Sequence, residues 1–480
     1  MGIKRNVIYS TILTASNYIF PLIVYPYIAR ILGVTNIGLC NFIDNVINYF
    51  ILFSMMGINI MGNRQIAIDR ANNISLTKSF SSLLTINSVT TLIALVALIL
   101  SVIFIPTLRE NHNLMWFGAI KLIANFFLIE WFYKGIEDFR YITIRSIFVK
   151  SLYVIAIFIF VKESDDYAIY YLLLVISIGV NAIINIFYSR KYTSFSLKSI
   201  DIKRFLKPFF ILGFYTFLAS LCTTFNVVYL GFLTDDTQVG YFTTATKLYS
   251  ILLAFFTGIT TVMLPRMSNL LTLNKINEFR DNINKTTELL FAFVIPIIIL
   301  SVIFAPQIIL LISGPGYEGG ITPMRIVMPL MLVIGYEQIA VVQGLMPLRA
   351  DKLVIFNAAI GAVISVVLNV LLVPVLESIG SSVAWVVSEI VILILSQIAI
   401  RKLAKLDFPF RSFLKNIIAN IPLAIIILCL YYISEAEIYW LFLIIATFIV
   451  IIYTVLFQIF ILKNPLMLQV KDLLADFRKS

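Results

Sequence analysis

Ala29-Arg30-Ile31-Leu32-Gly33-Val34-Thr35-Asn36-Ile37-Gly38-Leu39-Cys40 joins two long apolar runs. The run before it, residues 7–29, and the run after it, residues 37–61, each reach the ~20 residues that a helix needs to cross a ~30 Å hydrocarbon layer. Between them, Gly33 and Gly38 permit a tight turn and a close approach of helices. The stretch therefore reads as a turn between two membrane-crossing helices, and the chain as all-α.

The same pattern continues outward. Apolar runs follow at 79–105, 113–135, 141–161, 166–188, 208–232, 238–262, 286–312, 323–347, 352–375, 378–400, 413–434 and 437–462, about fourteen spans in all. If the start is cytoplasmic, 29 of the 36 Lys and Arg fall in or beside inner segments. The outer segments hold only Arg30, Arg109 and Lys162, while Lys121, Lys150, Lys247 and Arg325 lie within spans. Such a skew follows the positive-inside rule, and an even number of spans places both termini in the cytoplasm. Lys4 and Arg5 precede an apolar stretch too long for a signal-peptide core and lacking a small-residue cleavage site, so a retained first span is expected.

Composition excludes other classes. With 60% hydrophobic and 13% charged residues, the chain is too apolar for a soluble globule of 480 residues. The net charge of +11 is explained by cytoplasmic loops facing anionic headgroups, without nucleic acid as a partner. Cys40, Cys222 and Cys429 are scattered and read as small hydrophobes. His112 is the single histidine, so no zinc site or histidine-based catalytic pair is expected. There is no Walker-type phosphate loop, and the short outer loops leave no room for a folded outer domain. No cofactor, metal or catalytic residue is expected.

An internal repeat divides the chain after span six. Leu32-Gly33 with Gly38-Leu39-Cys40-Asn41-Phe42 joins spans one and two, and Leu230-Gly231 with Gly240-Tyr241-Phe242-Thr243 joins spans seven and eight. The expected division is an N-lobe at 1–190, a basic cytoplasmic linker at 191–207, a C-lobe at 208–401, spans thirteen and fourteen at 413–462, and an amphipathic cytoplasmic tail at 463–480. Leu197 to Phe205 in the linker could form an interfacial helix, a solvated linker being the alternative.

Ala29-Arg30-Ile31-Leu32-Gly33 with Gly38, and Glu130-Trp131-Phe132-Tyr133-Lys134-Gly135-Ile136-Glu137, resemble segments of Wzx-type polysaccharide repeat-unit flippases. Met263-Leu264-Pro265-Arg266-Met267-Ser268, Asn369 with Val373-Pro374, and Ile379-Gly380-Ser381 are similar as well. The resemblance runs from residue 1 to about 400. It implies the multidrug/oligosaccharidyl-lipid/polysaccharide exporter superfamily, with two six-helix lobes around a central cavity plus two C-terminal helices. The substrate it implies is an undecaprenyl-diphosphate-linked oligosaccharide, moved from inner to outer leaflet for O-antigen, capsule or exopolysaccharide assembly.

Charges at bilayer depth test that expectation, since each costs ~2.5–3.5 kcal/mol or more and needs a partner, water or a function. Span two carries Asn41, Asp44, Asn45 and Asn48, three of them on one helical face; span eight carries Thr243, Lys247 and Ser250 with the same period. A pathway role is expected for Lys247, Arg30 and Arg64 toward diphosphate and acidic sugars, and for the asparagine face toward hydroxyls. Against this stand a structural Asp44–Lys247 ion pair and snorkelling of Arg30 and Arg64 at span ends. Hairpin geometry predicts a Glu130–Arg145 pair. Lys150 lacks such a partner and must face another span or the cavity; Lys121, Glu337 and Glu389 pose the same problem. Asp44, Glu337 and Glu389 are the candidates for coupling to a sodium ion or proton.

The favoured function is therefore a lipid-linked oligosaccharide flippase working by alternating access, with membrane lipids and a polysaccharide polymerase and glycosyltransferases as further partners. A cation-coupled drug exporter is the alternative within the same fold. A membrane-bound polymerase would need a sizeable catalytic loop, which the short outer loops do not supply.

Overall fold

A computed structural model describes residues 3–72, 74–196, 200–434 and 439–457. The expected amphipathic tail, the end of span fourteen and the turn before it lie outside the described residues. Among the described residues every regular element is helical. Ten helical stretches there are long and apolar enough to cross a membrane. That is the outcome expected where lipid offers backbone groups no partner and the helix satisfies them internally.

Two of these stretches each carry a pair of the apolar runs. Helix α1 (Ile3–Met55) contains Gly33 at φ 76°, ψ 168°, a left-handed position suited to glycine. Its contacts show a reversal there. The first arm runs along α7 (Phe139–Phe160): Thr143 donates to Tyr9 O at 2.9 Å and Tyr27 to Val161 O at 2.8 Å. The second arm runs along α8 (Tyr167–Ser189), beginning where Asn36 donates to Ser164 O at 2.8 Å and Cys40 lies 3.6 Å from Tyr167 O. Because α7 and α8 form a hairpin, the two arms of α1 are antiparallel. Helix α16 (Asp351–Ala404) likewise reverses at Glu377 (φ 50°, ψ −124°), with Asn369 bonded to Ser381 and Asn357 to Ser396 across the hairpin.

Contacts divide the chain into two compact units, residues 1–243 and 244–480. In the first, α1, α7 and α8 pack with α2 (Ile58–Ala71), α3 (Leu76–Phe104), the short α4 (Pro106–Glu110) and α5 (His112–Phe127). Its aromatic core includes Trp131, Phe132 and Tyr133 of α6 (Glu130–Gly135) against Phe80 and Phe209. Helices α9 (Lys203–Cys222) and α10 (Thr224–Leu233) also contact α1, so the seventh run packs with the first six. In the second unit α12 (Ile276–Ile303) packs against α13 (Ala305–Ser313), α14 (Ile321–Val327), α15 (Leu330–Gln338), α17 (Phe410–Ile433) and α18 (Tyr439–Leu456). Phe304, Leu423, Ile427 and Leu443 form an apolar cluster there.

Among its described residues, the linker is helical only from Lys203 onward. Residues 200–202 are not helical, and α9 begins at Lys203; residues 197–199 lie outside the described set. Side chains of α3 hold the linker instead: Ser81 and Ser82 accept the backbone N–H groups of Ser196 and Asp201 at 2.9 Å, and Lys78 pairs with Asp201 at 3.5 Å. Local hydroxyl acceptors thus compete with helix formation for the same backbone donors.

Candidate functional site

The polar face expected on span two is present, and it is organised by a residue that hairpin reasoning left without a partner. On α1, Asp44, Asn45 and Asn48 are half-buried. Lys121 of α5, itself buried, donates to Asp44 Oδ1 at 2.6 Å and to Asn48 Oδ1 at 2.8 Å. Asn48 in turn donates to Asp44 Oδ2 at 3.3 Å. Asp44 therefore pairs with Lys121, a correction to the expectation that Lys121 lacked a partner. The reason is helix rotation: the face of α1 that carries Asp44 packs on α5, a neighbour that hairpin levels do not reveal.

Asn45 caps the ladder by donating to Asn41 O at 2.8 Å, and Asn41 donates to Ile37 O at 2.7 Å and to Thr243 Oγ1 at 3.2 Å. This last bond belongs to a contact between the two repeated turns. A Cβ on Gly38 would stand 1.7 Å from Asp236 O, and one on Gly240 would stand 2.3 Å from Val34 O. Only glycine permits backbones this close. Thr35 and Thr237 share a 3.0 Å hydroxyl bond beside them. Asp236, at the start of α11 (Asp236–Thr272) and outside the apolar run, has its carboxyl pushed up to about 6 by burial, with the Asp235 charge adding to the effect.

The Glu130–Arg145 pair forms at 2.7 Å, with Lys134 at 3.5 Å from the same carboxylate. Sequence reasoning missed the residue that completes it. Asn185 of α8 is fully buried; its amide oxygen accepts from Arg145 and from Tyr141, its amide nitrogen donates to Leu128 O, and its backbone carbonyl accepts from Tyr133. Leu128 O needs that donor because the chain breaks there, Ile129 being left-handed at φ 37°. The available signal was a pair of asparagines, Asn181 and Asn185, in the last third of a mostly apolar run.

Lys150 faces another span, as expected, donating to Ser16 Oγ at 3.1 Å and Asn17 Oδ1 at 2.5 Å on the first arm of α1. Arg30 and Arg64 are exposed, and Lys247 is half-buried in the second unit. In that unit Glu389 is buried and accepts from Trp385 Nε1 at 3.1 Å, while Tyr249 meets the Trp385 ring edge-on at 5.3 Å. Glu337 is half-buried within electrostatic reach of Glu389. Within the first unit, Asn41, Asp44, Asn45 and Asn48 group with Lys121, and Lys150 with Ser16 and Asn17; within the second, Glu337 groups with Glu389. Among the described residues no cluster of His, Cys, Asp and Glu suited to a metal is found.

Solved structures match this helical membrane fold. The structure described as "Lipid II flippase MurJ, inward closed conformation" aligns over 94% of this chain and 99% of its own, with a TM-score of 0.75 at 16% identity. An inward-facing multidrug resistance MATE family transporter of the MOP superfamily aligns over 80% and 95%, with a TM-score of 0.65 at 14% identity. Residues 3–271, more than half of the chain, match the polysaccharide biosynthesis protein family, and the chain belongs to that family. A relative from Escherichia coli (strain K12), described as "Putative O-antigen transporter", is 26% identical over 72% of this chain and 83% of its own length. A relative of the same description from Shigella dysenteriae is 28% identical over 56% and 68%. The Wzx-type resemblance of the quoted segments agrees with this membership.

Proposed function

We propose that this protein is a flippase that carries undecaprenyl-diphosphate-linked oligosaccharide repeat units from the inner to the outer leaflet for surface polysaccharide assembly. The observation that carries the proposal is the Asn41–Asp44–Asn45–Asn48 face of α1, held by buried Lys121 inside an apolar helical unit of a polysaccharide biosynthesis family member. Such a face costs several kcal/mol to place in hydrocarbon unless it serves polar cargo or is fully paired. Its asparagine amides suit sugar hydroxyls. Lys247, Arg30, Arg64 and Lys150 supply cations for the diphosphate and for acidic sugars. Glu337 and Glu389 are the better candidates for coupling to a sodium ion or proton, because Asp44 already has Lys121. The charge distribution of the loops supports an inner-membrane location with both termini in the cytoplasm.

The test is made on Lys247 in cells that depend on this protein for surface glycan. Lys247→Ala abolishes export at normal protein level, while Lys247→Arg keeps part of it, since charge is retained and reach changes. Full export with Lys247→Ala would remove Lys247 from the pathway. Unaltered surface glycan on deletion of the protein, together with changed drug tolerance, would replace the flippase by a drug exporter.

A further inference from the structure

A cavity of about 790 Å³ opens in the second unit between α12, the segment after α16 and the start of α17. Hydrogen bonds and ring contacts tie its walls together. Lys405 ends α16 in a left-handed conformation at φ 52°, turning the chain toward α12. Arg280 Nε of α12 holds that turn by donating to Ala404 O at 2.7 Å, and Gln397 donates to Leu406 O at 3.0 Å. Phe408 anchors the segment, its ring 5.1 Å from Tyr336 and 5.7 Å from Phe413.

The lining carries both signs of charge. Besides Arg280, bonded to Ala404 O, and Asp407, paired with Arg401, five charged groups line it: Lys405, Arg411 and Lys415 from the segment after α16 and from α17, and Asp281 and Glu288 from α12, beside Asn284. Among the described residues none of these five charged groups forms an ion pair. A purely anionic ligand would satisfy the cations and leave the two carboxylates facing negative charge; a purely cationic one would do the reverse. A ligand carrying phosphate and ammonium a few bonds apart satisfies both. Carboxylate and amide oxygens accept hydrogen bonds, which favours a primary ammonium over a quaternary one. Below the cavity, Leu414, Ile417, Ile418 and Ile421 of α17 are exposed and offer an apolar track for chains in the bilayer. The cavity also lies on the side that the loop charges assign to the cytoplasm, where basic pockets between helices hold lipid headgroups.

We propose that this cavity binds the headgroup of an inner-leaflet aminophospholipid, with the phosphate on Lys405, Arg411 and Lys415 and the ammonium on Glu288 and Asp281. The inference rests on the orientation but not on the transported cargo. The same phosphate chemistry could come from the diphosphate of a lipid-linked glycan, which lacks the ammonium and leaves the carboxylates unmatched.

The experiment is native mass spectrometry of the full chain in detergent with added phosphatidylethanolamine, phosphatidylcholine, phosphatidylglycerol or undecaprenyl diphosphate. Phosphatidylethanolamine should be retained about tenfold better than the others. Glu288→Gln should reduce it to the level of phosphatidylcholine, and Arg411→Ala with Lys415→Ala should weaken both. Asp281→Asn, at an exposed position, repeats the Glu288 test if that variant does not fold. Stronger retention of phosphatidylglycerol or undecaprenyl diphosphate, or no response to Glu288→Gln and Asp281→Asn, would overturn the assignment. None of these outcomes bears on the Lys247 export test, so either proposal can fail alone.

Discussion

Asp44 and Lys121 lie 77 positions apart and meet at 2.6 Å, with Lys121 almost wholly buried. Removing one member of such a pair leaves a charge uncompensated, whereas removing both leaves neutral groups in its place. Asp44→Asn or Lys121→Met alone should therefore destabilise the protein by on the order of 3 kcal/mol. The double variant should recover most of this in detergent thermal melts. Export measured alongside separates structure from transport: a stable double variant that still fails to export places the pair in the pathway, and one that exports normally makes it structural. Asp236 gives a prediction with a definite sign. Its folded value of about 6 lies above its ordinary 3.8, so its favourable contribution is complete below about pH 4 and is lost as the pH rises through about 6. Asp236→Asn should accordingly raise the melting midpoint at pH 7.5, with the difference shrinking as the pH falls toward 4. A midpoint unchanged at pH 7.5 would show that the carboxyl is not perturbed by burial.

At the scale of elements, the two repeated turns are held together by backbone-to-backbone approach at Gly38 and Gly240. Any side chain at Gly38 must displace the Asp236 carbonyl, so Gly38→Val should part the turns. The hydroxyl bond between Thr35 and Thr237 marks where they touch. Thr35→Cys with Thr237→Cys, in a background free of Cys40, Cys222 and Cys429, should cross-link readily with an oxidant or a short bis-thiol reagent. If parting of these turns belongs to the transport cycle, cross-linking should stop export and reduction should restore it. Cross-linked protein that exports at the normal rate would make the contact a fixed structural joint. The repeat was legible from Leu-Gly at two corresponding places, since glycine spacing is local information. That the two turns pack on one another was not legible, because the approach of distant segments depends on how the intervening helices tilt.

For the whole molecule, orientation is the property from which the direction of transport follows. Asp165, Asp235 and Glu318 lie in exposed turns assigned to the outside, and Lys203, Asn277 and Lys405 in exposed positions assigned to the cytoplasm. Single cysteines at the first three should react with an impermeant maleimide added to intact cells, and those at the last three only after lysis. Reversed labelling would invert the protein and turn export into import. Exposure at all six positions means that a failure to label reports the membrane side and not burial.

The sequence by itself determined the all-helical membrane class, the apolar runs and their turns, the asymmetry of loop charge and the Glu130–Arg145 pair. Each of these follows from local quantities: hydrophobic length against bilayer thickness, glycine at a reversal, and levels counted from a shared hairpin turn. Only the tertiary structure decided that Lys121 holds Asp44, that Asn185 joins Arg145 to the broken carbonyl at Leu128, that Lys150 reaches Ser16 and Asn17, and that the chain after Ala404 closes a two-signed cavity over α12. These contacts depend on the rotation and axial register of helices far apart in sequence, which an apolar period of 3.6 leaves free because hydrocarbon wets every face alike and only packing against specific neighbours selects one.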